Sequence, residues 1–116
     1  SQGPAALRDT AWRLLTIDRG PGPEDVAALS SSLGFGLDDV AGKTCNSYGA
    51  RVKAATADRI TTEGFFSTQM GCGGPEGDVD RLVQEVLAGG AMWERQGARL
   101  TLGRGDVRLV FALQPE

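Results

Sequence analysis

The sequence predicts an α+β domain: a mostly antiparallel curled sheet or open β-barrel of roughly six to eight short strands, with one amphipathic helix packed on it. Two patterns carry this prediction. Apolar residues at Val79, Leu82, Val83, Val86 and Leu87 fall on a single helical stripe. Elsewhere apolar residues alternate with polar or small ones, most cleanly at Val107, Leu109, Phe111 and Leu113. The 17 glycines among 116 residues supply the turns such a sheet needs.

The elements follow in order. Ser1 to Ala6 is small and polar, so residues 1–9 read as a linker or trimmed end and residues 10–116 as one domain. Thr10 to Ile17 is a strand with Trp12, Leu14 and Thr16 on one face and Arg13, Leu15 and Ile17 on the other. Arg19 to Pro23 breaks regular structure through its Gly and Pro residues and reads as a second linker. Ala27 to Phe35 is a strand with Ala27, Leu29, Ser31, Leu33 and Phe35 inward. Asp38-Asp39 turns into a short strand at Val40 to Thr44, and Asn46 to Gly49 forms a tight reversal. Arg51 to Ala55 and Arg59 to Phe65 are further strands. The helix runs from Pro75, suited to the first helical position, to Ala88, with Gly89-Gly90 as its stop. Glu76, Asp78 and Asp80 place negative charge near its positive end. Ala91 to Arg95, Arg99 to Leu102 and Val107 to Leu113 close the chain as strands, with turns at Gly97 and at Gly103 to Asp106.

Composition excludes several chemistries. The chain has no histidine, so no Ser-His-Asp triad, Cys-His dyad or imidazole metal site can be built from it. Its two cysteines, Cys45 and Cys72, cannot complete a zinc site, and no metal or other cofactor is expected. A net charge of −3 argues against nucleic acid as a partner. No apolar run approaches the ~18 residues of a membrane span. The cysteines leave two readings open. A disulfide would close a loop of about 28 residues and contribute on the order of 3–4 kcal/mol; free thiols would serve as small apolar core groups.

Other constellations favour structural roles. Gly71 to Pro75 precedes a helix but lacks a P-loop's Gly-Lys-Ser/Thr ending, and three carboxylates crowd that helix start. Arg104-Gly105-Asp106 falls where a hairpin needs Gly. Cys72 lies just before the helix, yet no His can act as its base. Glu24-Asp25 and Asp38-Asp39 are adjacent in sequence, so on a strand their side chains point apart. Trp12 and Phe111 belong in the core. Tyr48, Phe65, Phe66 and Trp93 are candidates for an aromatic interaction patch as well as for the core.

Trp12-Arg13-Leu14, then Gly42-Lys43-Thr44-Cys45-Asn46-Ser47-Tyr48-Gly49, then Ser67-Thr68-Gln69-Met70-Gly71-Cys72, in this order, resemble the META domain family, which includes the heat-shock protein HslJ. An acidic-start helix and a final hairpin from Leu100-Thr101-Leu102 to Leu109-Val110-Phe111 complete the set. Trp12, Gly42, Asn46, Tyr48, Thr68 and Met70 carry the motif, over about Thr10 to Leu113. Thr44 stands where the family usually has Gly, and Gly71 where it usually has Ala.

The resemblance implies a compact β-rich domain that is exported or lipid-anchored at the cell envelope, any lipid being attached upstream of these residues. It also implies a link to stress tolerance and no known reaction. That oxidising setting favours a Cys45–Cys72 bond. The expected function is therefore a non-enzymatic, extracytoplasmic module acting through an unidentified protein partner. The alternatives are a barrel holding a small apolar ligand, an enzyme inhibitor using the loop Arg19 to Asp25, and, least favoured, a thiol enzyme at Cys72.

Overall fold

The first and last strands of the chain are hydrogen-bonded neighbours, and that pairing closes the sheet into a barrel. The computed structural model describes residues 6–56, 58–68 and 70–114. In chain order the elements are β1 (Thr10–Asp18), β2 (Pro23–Asp25), β3 (Ser32–Phe35), β4 (Asp39–Lys43), β5 (Ser47–Ala55), β6 (Arg59–Ser67), α1 (Gly74–Gly89), β7 (Ala91–Gln96), β8 (Arg99–Arg104) and β9 (Val107–Leu113). Eight strands form the ring, β1-β3-β4-β5-β6-β7-β8-β9, and β9 returns to β1. All pairings are antiparallel, and β2 continues the β3 edge of β1. The expected curl is present, and it goes on to closure, which removes exposed sheet edges from the ring.

The interior is filled by side chains. Trp12, Leu14, Ile17, Leu33, Leu100, Leu102, Leu109 and Phe111 are all buried, joined by Val79, Val83, Val86 and Leu87 from the helix. Each of those four helical side chains contributes roughly 1.5–3 kcal/mol of burial, an upper bound for a compact unfolded chain. The helix covers a weak seam: β6 and β7 pair only at Arg59–Met92 and Ile60–Ala91. Past Ile60 the helix takes over, and Thr62 Oγ1 donates to the Leu87 carbonyl at 2.8 Å.

Several expectations are corrected. Ile17 faces the core with Leu14, because a bulge between Leu14 and Thr16 adds one residue and inverts the alternation beyond it. Ala27–Leu29 is a 3-10 turn, ended by Ser30 in the left-handed region, so the strand begins only at Ser32. The segment Arg19 to Pro23 is a loop, but Pro23 already opens β2. The β4–β5 reversal lies at Thr44 to Asn46, where Thr44 N–H donates to the Asn46 carbonyl, and Ser47 to Gly49 belong to β5. The expected linker at Ser1 to Ala5 falls outside the described residues. The core reaches back before Thr10, since Leu7 is buried and Ala6 packs against it.

Candidate functional site

The motif residues of the β4–β5 reversal and of the loop before α1 meet in one cluster. Cys45 and Cys72 are joined by a disulfide, with their Cα atoms 6.2 Å apart. Beside it, Asn46 binds both the loop before α1 and the helix itself. Its side-chain oxygen accepts from Met70 N–H at 2.7 Å and from Thr68 Oγ1 at 2.9 Å. Its amide nitrogen donates to Asp80 Oδ2 at 3.0 Å and to the Met70 carbonyl at 3.4 Å. Its backbone N–H reaches Asp80 Oδ1 at 3.2 Å. The geometry explains why asparagine stands here, since an amide both donates and accepts.

Asp80 is 2% exposed and is the centre of the cluster. Besides Asn46 it accepts from Gln84 Nε2 at 2.9 Å, one helical turn on. Burying a carboxylate is costly unless its oxygens are satisfied, and here three donors converge on them. The helix can approach this closely because residue 77 is glycine: a Cβ there would lie 2.1 Å from the Cys72 carbonyl oxygen.

Tyr48 lies on the far side of the reversal. It is buried, stacked on Phe65 at 6.1 Å between ring centroids, and lies across from Gly42. Its hydroxyl has no hydrogen-bond partner among the described residues. Burial, and then the charge of Asp80, hold the phenol's pKa well above the ordinary tyrosine value. Ser31 and Thr44 bond each other through their hydroxyls at 2.7 Å nearby.

A family model for the META domain matches residues 5–116. The chain belongs to the META domain family. Two solved structures share the fold of this META domain. One is an NMR structure 22% identical in sequence, with a TM-score of 0.75, covering 94% of this chain and 92% of that one. The other, from Burkholderia xenovorans, is 17% identical with a TM-score of 0.76, covering 97% of this chain and 86% of that one. No curated protein matches the sequence.

The motif positions of this META domain thus divide in two. Asn46, Thr68, Met70 and the cysteine pair form the clasp that ties the helix entry to β4–β5. Trp12, Gly42 and Tyr48 serve packing. Trp12 donates from Nε1 to Thr10 Oγ1 at 2.8 Å, and the Arg95 guanidinium lies 5.2 Å from its ring centroid. Gln69, within the motif, lies outside the described residues.

The four rings considered for an aromatic patch do not share a surface. Tyr48 and Trp93 are buried, and Trp93 Nε1 donates to the Thr56 carbonyl at 3.1 Å. Phe65 is half-buried, and Phe66 alone of the four is exposed. Arg104 ends β8 with its guanidinium against Gly89, and Gly105 makes the turn at φ 60°. Glu24 pairs with Arg19 at 3.4 Å, and Asp25 accepts from Ala27 N–H at 3.0 Å. Arg19 also binds Asp78, which ties the β1–β2 loop to the helix.

Asp80 and Gln84 are the site residues that sequence reasoning missed. The signal was present: Asp80 stands three residues before Val83 and seven before Leu87, on the same buried face. Its place near the helix start equally suits a charge that complements the helix dipole.

Proposed function

We propose that this META domain is a non-catalytic, extracytoplasmic module that supports the cell envelope under stress through protein contacts. The observation that carries the reading is the Cys45–Cys72 disulfide, placed between the reversal and the helix entry. Such bonds persist in oxidising compartments, and bonding to each other uses up both sulfurs the chain could offer as nucleophiles. The filled interior supports contact through the outer surface over storage of an apolar ligand. At the barrel end a cleft of about 180 Å³ lies over Leu7, Phe35, Val52 and Ile60, ringed by Arg8, Asp38, Asp39 and Lys53. That is below the roughly 300–1,000 Å³ of a typical ligand site, and the larger hollows, of about 460–690 Å³, lie open on the outer surface with charged side chains in their lining.

The test is thiol trapping of the full-length gene product in intact cells, together with protease access after removal of the outer layers. The expected result is a chain protected from maleimide until reductant is added and cleaved from outside the cytoplasmic membrane. Free thiols on a chain shielded inside the cytoplasm would overturn the reading. A strain lacking the gene should be more sensitive to detergent and to envelope-directed antibiotics.

A further inference from the structure

The cleft at the barrel end joins an apolar floor to a charged rim. Leu7, Phe35 and Ile60 are buried beneath it, and Val52 and Ala55 form a half-buried wall. Its volume is about 180 Å³. An apolar cavity of about 150 Å³ takes one benzene ring, so this cleft is sized for a single ring and not for a long acyl chain. Leu37, 65% exposed, adds apolar surface at the mouth.

Four exposed charged side chains surround the hole: Arg8 from the turn before β1, Asp38 and Asp39 from the β3–β4 turn, and Lys53 from β5. None of them makes an ion pair among the described residues. The rim therefore carries two charges of each sign, free to meet a ligand. The turn that bears the acidic pair is fixed in advance. Val52 N–H donates to the Asp38 carbonyl at 2.8 Å, and Gly36 N–H to the Asp39 carbonyl at 2.9 Å. Glycine at 36 leaves room for Asp39, since a Cβ there would collide with Asp39 Oδ1. A rim that is set beforehand costs less to occupy.

The charges select the ligand. An apolar acid would meet two carboxylates, and an apolar amine two cations. A molecule with one ring and both charges close to it meets opposite charge at each polar end. We propose that this cleft is a binding site for a free aromatic α-amino acid. Its ring rests on the floor, its α-ammonium faces Asp38 and Asp39, and its α-carboxylate faces Arg8 and Lys53.

Size and exposure set the strength. A ligand of about 12 non-hydrogen atoms in a half-open site binds with a dissociation constant on the order of 1 mM. Each exposed ion pair is worth up to about fivefold, and salt weakens it. This inference goes beyond the protein-contact reading and does not rest on it.

The experiment is a titration of the domain with L-phenylalanine up to about 20 mM at low salt, followed in ¹H–¹⁵N spectra. Saturable shifts are expected at Leu7, Gly36, Leu37, Val52 and Ile60. Phenethylamine and 3-phenylpropanoate each lack one charge and should bind about 2–5-fold more weakly. N-acetyl-L-phenylalanine amide, with the ring and neither charge, should bind more weakly still, and L-alanine, without the ring, should give no saturable shift. Ala55→Leu, which fills the cleft from its wall, should abolish binding. Lys53→Gln and Asp38→Asn, both at exposed positions, should each weaken it by about 2–5-fold with the rest of the spectrum unchanged, and they answer the question on their own if Ala55→Leu does not fold. Spectra that do not change with ligand, shifts confined to another part of the barrel, or rim variants that bind as the parent does would each overturn the proposal. So would an acid, an amine or a blocked amide that binds as tightly as L-phenylalanine; in the last case the cleft takes a side chain of a partner protein. Those outcomes leave the export reading standing, and a cytoplasmic location leaves the amino-acid site standing.

Discussion

The Tyr48 ring crosses its strand partner Gly42 so closely that a Cβ on Gly42 would lie 2.7 Å from the phenolic oxygen. The same Cβ would lie 2.6 Å from the Ser32 carbonyl oxygen, which belongs to the adjacent strand and cannot rotate away. Gly42→Ala should therefore destabilise the domain by about 2–3 kcal/mol, read as a lower urea midpoint at unchanged slope.

Gly77→Ala tests the helix approach with the opposite prior. Alanine in place of glycine within a helix ordinarily stabilises by about 1 kcal/mol. Here the added carbon meets the Cys72 carbonyl carbon and oxygen. The expected outcome is a net loss of about 2 kcal/mol or more in chemical denaturation. A gain would show that the helix does not sit against the disulfide loop.

Asp80→Asn keeps shape and changes chemistry. One side-chain oxygen becomes an amide that faces donors from Asn46 or Gln84. A loss of about 1–3 kcal/mol is expected, despite the near-identical volume. Asn46→Ala, which releases Thr68 and Met70 as well, should cost at least as much and raise hydrogen exchange in the loop before α1.

Tyr48 gives a pH prediction that can be watched directly, since it is the chain's single tyrosine. Its folded pKa is raised, first by burial and then by the charge of Asp80. The unfolded chain ionises near the ordinary value of about 10, so above that pH it holds fewer protons than the folded chain. Stability should be unaffected by this group below about pH 10 and fall above it, by up to about 1.4 kcal/mol per pH unit. Phenolate absorbance should rise together with loss of the fold. Tyr48→Phe should remove the dependence at little cost, because the hydroxyl it deletes has no partner among the described residues.

Opening the disulfide should cost about 3–4 kcal/mol through the loop it closes. The Asn46 bonds cross the same gap, so a Cys45→Ser, Cys72→Ser chain should still fold, with a lower midpoint in denaturant.

Much of this architecture is written in the sequence as period. The helix stripe and the alternation of β9 can be read directly, because burial on one face imposes a repeat on the residues. Where one residue breaks the repeat, the reading inverts: the bulge after Leu14 turns Ile17 inward. A three-residue strand such as Pro23–Asp25 has no period to detect. Ala27–Leu29 is apolar throughout and coils, since so short an apolar run suits either state. The META motif located the clasp, but the motif names the reversal and the loop and leaves out Asp80, the helical residue both are bound to.

The pairing of β1 with β9 also governs how the domain can be made. The opening segment must wait for the closing one, so a chain emerging from a ribosome has no finished ring until Val107–Leu113 is free. Its two ends must meet before the ladder is whole, so trimming either end should open the ring.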